Sequence, residues 1–317
     1  MTGARILTIT LNPALDLSTH TEEVTPGPKL RCRAPKRDPG GGGVNVSRAI
    51  RFLGGVSVAL AALGGSTGDQ LHALLEAEGI HAVPLPGAGD TRVSLSVTED
   101  ATGAQFRFVM AGPIWTDAHA SAVAAAARQA MAPGDLSVVS GSLPSGAPHD
   151  LVLWLGQAAV AAGGRAILDT SGPALAAVAQ ARAGSGLILR IDRKEAQELA
   201  ATPLPDLTAL ADFALSLRAD GVADIVVIAS GADGSVCAAP SGRFHAVSPR
   251  SEVVSAVGAG DSFVGAFALA LHRGDAVDEA LRFGTAAAAA AVMTPDTQLC
   301  DAADVARLLP LTILGPV

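Results

Sequence analysis

The stretch "VGAGDSFVGAF" (Val257–Phe267) sets Asp261 directly behind Gly258, Ala259 and Gly260 and ahead of an apolar helical stripe. Three small residues at a helix start present successive backbone N–H groups at the positive end of the helix dipole, a ready site for an anion. A carboxylate beside that anion can accept the proton of an attacking hydroxyl, which is what phosphoryl transfer requires. Aspartate is also a favoured N-cap, so this stretch alone leaves helix cap and proton acceptor equally open. A second glycine-rich helix start, "PGGGGVNVSRAIRFLGG" (Pro39–Gly55), carries Asn45 in its first turn. An amide there can both donate to and accept from sugar hydroxyls. The glycines either let a ligand approach the main chain closely or form a flexible turn. No Gly-Lys-Ser/Thr follows, which excludes a Walker A loop, and the full dinucleotide-binding glycine pattern is absent.

These residues need a scaffold. Short apolar runs beginning at Ile6, Leu136, Arg165, Leu187 and Asp224 alternate with helical patterns. Continuous Val/Ile/Leu runs predict strands covered on both faces, hence a mostly parallel sheet with crossover helices. Val46, Ala49, Ile50 and Leu53 share one helix face, as do Phe263, Phe267, Ala270 and Leu271, with Gly274 as a stop. The Ala-rich segments near Val123 and Ala286 read as close-packed helices. Val93, Leu95 and Val97 alternate with polar residues, then "EDATG" turns into "AQFRFVM", an antiparallel hairpin with one exposed face. Together with Thr19 to Lys36 it would form a small β lid. Ligands of open α/β sheets lie beyond the carboxyl ends of the strands. Those ends are Asn12 and Asp16, Ser140 to Ser142, Asp169, Arg190 to Glu195, and Ser230 to Gly234.

Of the 317 residues, 49% are hydrophobic and 16% charged, a globular composition. The net charge of −8 argues against nucleic acid or an anionic membrane as partner, so an anionic ligand would rest on a few local cations and N–H groups. Cys32, Cys237 and Cys300 are odd in number and lack metal-ligand spacing, which predicts reduced thiols in a cytoplasmic protein. No uninterrupted apolar run reaches the roughly 18 residues of a membrane span, and "ARILTITLNPALD" reads as a buried strand rather than a signal peptide. The expectation is a single α/β domain over residues 1–317, with lid strands from about 19–36 and 91–110.

The two glycine-rich helix starts, in this order, resemble the paired signatures of the PfkB carbohydrate kinase (ribokinase-like) family, and the similarity runs over nearly the whole chain. "NPALD", "GPKLRC", "DTR", "QFRFVMAG", "SGSLPSG" and "LC" bring it nearest that family's bacterial phosphosugar branch. The resemblance implies a three-layer α/β sandwich whose β lid serves a homodimer. It implies an ATP- and Mg2+-dependent kinase for a ketohexose monophosphate, with fructose 6-phosphate favoured and fructose 1-phosphate or tagatose 6-phosphate as alternatives. By the same resemblance Asp261 is the catalytic base, and Gly258, Ala259 and Gly260 form the anion hole. Asp16, Gly40, Gly41, Asn45 and Ser142 hold the sugar, while Arg92, Lys29 and Arg31 face phosphate. Arg190, Asp192, Gly231 and Gly234 fall to the nucleotide, and Glu195, with Asp192 through water, to the metal.

Three positions and one segment depart from the family pattern. "DRKE" has Asp192 where the family's Asn-x-x-Glu has asparagine, which adds negative charge near the nucleotide and implies a changed magnesium dependence. Arg190 stands for a lysine and Ala229 for a serine or threonine, and "MTPDTQLC" replaces the segment tied to adenine and a possible monovalent cation. The changes at 190–195 also admit a sugar-phosphate-binding regulator that has lost turnover, against which the retained Asp261 and anion hole weigh.

Overall fold

In the computed structural model, which describes residues 3–182, 184–295, 298–315 and 317, the apolar runs assemble into one ten-stranded sheet. The chain begins at its centre with β1 (Ile6–Thr10), every residue of it buried, and then leaves the sheet as β2 (Ala14–Thr21). After β3 (Lys36–Gly40) and α1 (Gly42–Phe52) it returns as β4 (Val58–Leu63), α2 (Gly65–Ala77) and β5 (His81–Pro86). A hairpin of β6 (Arg92–Glu99) and β7 (Gln105–Val109) precedes α3 (Asp117–Ala130) and β8 (Leu136–Ser140). Regular alternation follows: α4 (Leu151–Ala161), β9 (Arg165–Asp169), α5 (Gly172–Ala181), β10 (Leu187–Asp192), α6 (Arg193–Ala200), α7 (Leu207–Ala219) and β11 (Ile225–Ala229). The chain ends with β12 (Ser235–Ala239), β13 (Gly242–Val247), α8 (Ala259–Arg273), α9 (Val277–Ala291), α10 (Ala302–Leu308) and β14 (Ile313–Gly315).

The strand order is β14-β13-β12-β11-β10-β9-β8-β1-β4-β5. From β5 to β11 all pairs are parallel, and β12, β13 and β14 close one edge antiparallel. Side chains alternate across it as strand geometry demands. Leu187, Leu189 and Ile191 of β10 pack toward α3, α4, α5 and α7, whereas Ile188 packs with Phe263 and Phe267 of α8. Val44 of α1 and Leu71 and Leu75 of α2 cover β4 on that second side. The result is three layers, helix, sheet, helix. Because β1 has β4 on one side and β8 on the other, the chain reverses direction there, and a crevice opens beyond its carboxyl end.

Over that crevice lies a second sheet of four strands in the order β3-β2-β6-β7. Its β6–β7 hairpin is the predicted one, with Ser94 opposite Val109. The expected 19–36 segment differs: only Thr19–Thr21 and Lys36 are strand, and the residues between are irregular. Pro26 and Pro28 in that segment have no N–H to offer a ladder. The strand instead starts at Ala14, so Asp16 belongs to the second sheet rather than to the end of β1.

Candidate active site

The cap of α8 is Gly258, with φ of 78°, a left-handed conformation that glycine adopts without the strain a side chain would add. Asp261 is the third helical residue, within the first turn, and its carboxylate accepts a 2.9 Å hydrogen bond from Asn45 Nδ2. Helix packing produces that contact. Four residues beyond each partner, Gly265 of α8 faces Ala49 of α1 so closely that a Cβ on Gly265 would stand 2.8 Å from the Ala49 Cβ. Residues four apart share a helix face, so the tight crossing at Ala49 and Gly265 brings Asn45 to Asp261. Burial pushes the Asp261 pKa up to about 7, and the nearby charge of Asp169 adds to this. The Asn45 hydrogen bond and the Arg190 guanidinium oppose the shift, and Asp16 raises it slightly. Asp261 keeps some accessible surface.

Beside it runs a polar chain across three strand ends. Ser140 Oγ donates to Asp169 at 2.7 Å, and Arg190 Nη1 donates to the other oxygen of Asp169 at 3.1 Å. The Arg190 guanidinium lies 5.9 Å from the Phe263 ring centroid and against Gly260, where a Cβ would come within 3.2 Å of it. Burial alone would lower the Arg190 pKa, but Asp169, Glu195 and Asp261 together raise it, so the charge is secure. Its Nε is buried without a hydrogen-bond partner among the described residues.

Asp192 and Glu195 have a structural task at the start of α6. Glu195 N–H donates to Asp192 Oδ1 and Asp192 N–H to Glu195 Oε2, both at 2.8 Å, a complete capping box. One oxygen of each carboxylate is thus engaged, and burial raises the Glu195 pKa. Among the described residues no cluster of three or more His, Cys, Asp or Glu side chains is suited to a metal ion. Magnesium commonly takes one or two carboxylates and completes its shell with phosphate oxygens and water, a role the remaining oxygens of Glu195 and Asp192 fit.

Outward from Arg190 a cavity of about 680 Å³ extends toward β13, and Asp192, Ala229, Gly231 and Gly234 line it together with Gly260. Arg250 and Thr285 line it too and carried no sequence signal, because neither lies at a strand end or in a glycine-rich stretch. In the opposite direction the crevice reaches the second sheet. Arg92 donates from Nε to Asn12 Oδ1 at 3.1 Å and from Nη1 to Ser94 Oγ at 3.2 Å, and Asn12 Nδ2 donates to Ser142 Oγ at 3.2 Å. Burial raises Asp16 to about 6, against the pull of Arg92 and Arg48. The glycine run is also explained by backbone crowding. A Cβ on Gly40 would strike the Asp16 carboxylate at 2.1 Å, and one on Gly42 would meet Gly141 N at 2.6 Å. Gly41, with φ of 112°, caps α1.

Lys29 and Arg31 are not drawn in. Both are exposed in the irregular segment between β2 and β3, and among the described residues neither forms an ion pair. Arg48, which sequence reading passed over, is buried and bridges β3 to α2 through Asp38 at 3.4 Å and Glu78 at 2.8 Å. Of "MTPDTQLC", Asp296 and Thr297 lie outside the described residues. Cys32, Cys237 and Cys300 are unpaired, and burial pushes the Cys237 and Cys300 thiols up to about 12 and about 11.

The sequence profile of the pfkB family carbohydrate kinases matches residues 9–304. The chain belongs to the PfkB family. This member is therefore a phosphotransferase acting on a carbohydrate alcohol. It is 38% identical to the ATP-dependent 6-phosphofructokinase isozyme 2 of Mycobacterium tuberculosis over 308 residues, covering 97% of this chain and 89% of that one. It is 35% identical to the 1-phosphofructokinase of Xanthomonas campestris over 266 residues, covering 84% and 83%. The fold of this PfkB kinase superposes on phosphofructokinase-2 of Escherichia coli in complex with fructose 6-phosphate. The TM-score is 0.89 at 35% identity, with 97% of this chain and 99% of that one covered. Other solved forms of that relative include a potassium complex and a tetrameric inhibited form.

Proposed function

We propose that this kinase transfers the γ-phosphoryl group of ATP to the 1-hydroxyl of fructose 6-phosphate. The observation that carries the reading is the distance-spanning arrangement of one crevice. The half-buried Arg92 acts on the Asp16 carboxylate, Asp16 and Arg190 both act on Asp261 at the start of α8, and Arg190 lines the cavity of about 680 Å³. Among the described residues the hydrogen-bond partners of Arg92 are Asn12 and Ser94, both neutral, so its guanidinium retains capacity for a phosphate, which it can bind bidentately. Asp16, Asn45 and Ser142 then face the sugar hydroxyls.

In the reaction Asp261 accepts the proton of the 1-hydroxyl, the oxygen forms its bond to the γ-phosphorus, and the bond to the β-γ bridging oxygen breaks as ADP leaves. The free N–H groups of Ala259, Gly260 and Asp261 and the Arg190 guanidinium take up the charge of the transferring group. Magnesium, held by Glu195 and Asp192 through water, would neutralise phosphate charge. Asp192 in place of asparagine shifts its concentration dependence. The second sheet acts as a lid whose closure excludes water that would otherwise consume ATP, and it pairs two protomers along its outer edge strand, β7. Phe108 and Val109 of that strand and Met110 just beyond it are exposed, at 50%, 67% and 43%.

A coupled assay tests the acceptor. ATP, Mg2+ and fructose 6-phosphate should yield fructose 1,6-bisphosphate, and Arg92→Ala should raise the KM for this sugar by on the order of 10²-fold while sparing the KM for ATP. Vigorous turnover of unphosphorylated sugars, indifferent to Arg92, would sink this assignment. Sugar binding without any ADP release would instead mark a regulator.

A further inference from the structure

We propose that Arg48 is a positioning residue for the phosphorylated sugar, acting through Asp16, an inference that rests on the acceptor reading above. Arg48 follows Asn45 by three residues on α1, so one helix face carries both the hydrogen-bond partner of Asp261 and a cation beneath the second sheet. Its side chain is 6% exposed. Nε and Nη2 donate to the two oxygens of Glu78, each at 2.8 Å, Nη1 donates to the Pro39 carbonyl at 3.3 Å, and Nη2 reaches Asp38 at 3.4 Å. Two of these partners belong to β3 beside Asp16. Asp38 stands directly opposite Asp16 in the strand pairing, and Gly40, next to Pro39, packs on the Asp16 carboxylate. The guanidinium thus clamps the part of β3 that backs this carboxylate.

Asp16 needs that support because its charge has little of its own. Among the described residues its carboxylate accepts no hydrogen bond, and burial favours the protonated form. Arg92 and Arg48 oppose burial, whereas Asp38 reinforces it. Arg107 opposes it less, from an exposed position where salt and water screen it. A sugar phosphate seated on Arg92 neutralises that arginine at the moment when Asp16 must accept hydrogen bonds from the sugar hydroxyls. Arg48 is buried and all three of its nitrogens are engaged by protein groups, so its charge stays beside Asp16 in the complex.

The test uses the full-length enzyme and reads the Kd for fructose 6-phosphate by titration calorimetry without ATP, alongside kcat and both KM values. Arg48→Met should raise that Kd by roughly three- to thirtyfold, the effect of one nearby cation on a carboxylate. It should leave the KM for ATP in place and kcat at saturating sugar within about threefold of wild type. Arg48→Lys keeps the charge and loses the fork, so it should melt at a lower temperature than wild type yet bind the sugar within about threefold as well. In an Asp16→Asn background, Arg48→Met should change the Kd by less than about twofold, because no charge remains to hold. A wild-type Kd in Arg48→Met overturns the inference. So does equal weakening with and without the Asp16 carboxylate, or a lysine variant as weak as the methionine one. If Arg48→Met fails to fold, Arg48→Met/Glu78→Gln, which strands no carboxylate at position 78, takes its place. Failure of wild-type enzyme to bind fructose 6-phosphate would count against the acceptor assignment alone, and the same cycle then runs on whichever of fructose 1-phosphate and tagatose 6-phosphate it binds.

Discussion

With Gly258 as the cap of α8 and Asn45 donating to one carboxylate oxygen, Asp261 is not the helix cap. Its folded pKa, about 7, lies above the value expected in an unfolded chain. The folded state therefore holds an extra proton between about pH 4 and 7, and this group's contribution to stability falls as pH rises through that window. Two outcomes follow at this scale. The kcat/KM of the wild-type enzyme should climb with pH to a plateau above about 7, as a base that works only when ionised requires. Asp261→Asn should lower kcat by roughly 10²–10⁴-fold yet melt at a higher temperature than wild type at pH 8, read by calorimetry. A flat pH profile, or an asparagine variant less stable than wild type, contradicts the assigned environment.

Elements position these residues through close backbone approaches. The α1–α8 crossing depends on Gly265, where a Cβ would also sit 3.1 Å from the Val46 carbonyl. Gly265→Ala should force the helices apart, loosening the Asn45–Asp261 bond, and should cost about 1–3 kcal/mol in denaturant unfolding together with a measurable drop in kcat. Deeper in the same interface, Phe263 and Phe267 stack with ring centroids 5.7 Å apart, and Phe267→Ala should cost about 3–5 kcal/mol. Much of this level was legible beforehand: the two glycine-rich helix starts, the β-branched strands of the centre and the β6–β7 hairpin each carry a local signal. What escaped was non-local or weakly patterned. β4 reads "VALAAL", whose alanines have little strand propensity and whose place is set by burial beneath α1 and α2. Asp192 and Glu195 read as nucleotide and metal residues, yet their capping box is a local backbone arrangement that also serves α6. The role of Arg48 depends on residues far away in the chain, which no window of sequence displays.

At the scale of the whole molecule, the proposed function assigns the nucleotide to one edge of the ten-stranded sheet, the reacting atoms to the β1 reversal and the sugar phosphate to the second sheet. Among the described residues no helix is long and apolar enough to cross a membrane. The exposed apolar outer strand of the second sheet is a liability for an isolated protomer, and the proposed pairing through the lid would relieve it. Val109→Asp should convert a dimer into a monomer in light scattering, and a wild-type enzyme already monomeric at micromolar concentration would remove the lid from the interface. The central assignment is of donor, acceptor and base in a single crevice, and product analysis by phosphorus NMR addresses it directly. With ATP, Mg2+ and fructose 6-phosphate, the wild-type enzyme should produce fructose 1,6-bisphosphate and stoichiometric ADP, and Asp261→Asn should produce neither at a comparable rate. Formation of the bisphosphate from fructose 1-phosphate but not from fructose 6-phosphate, or undiminished product from Asp261→Asn, would contradict it.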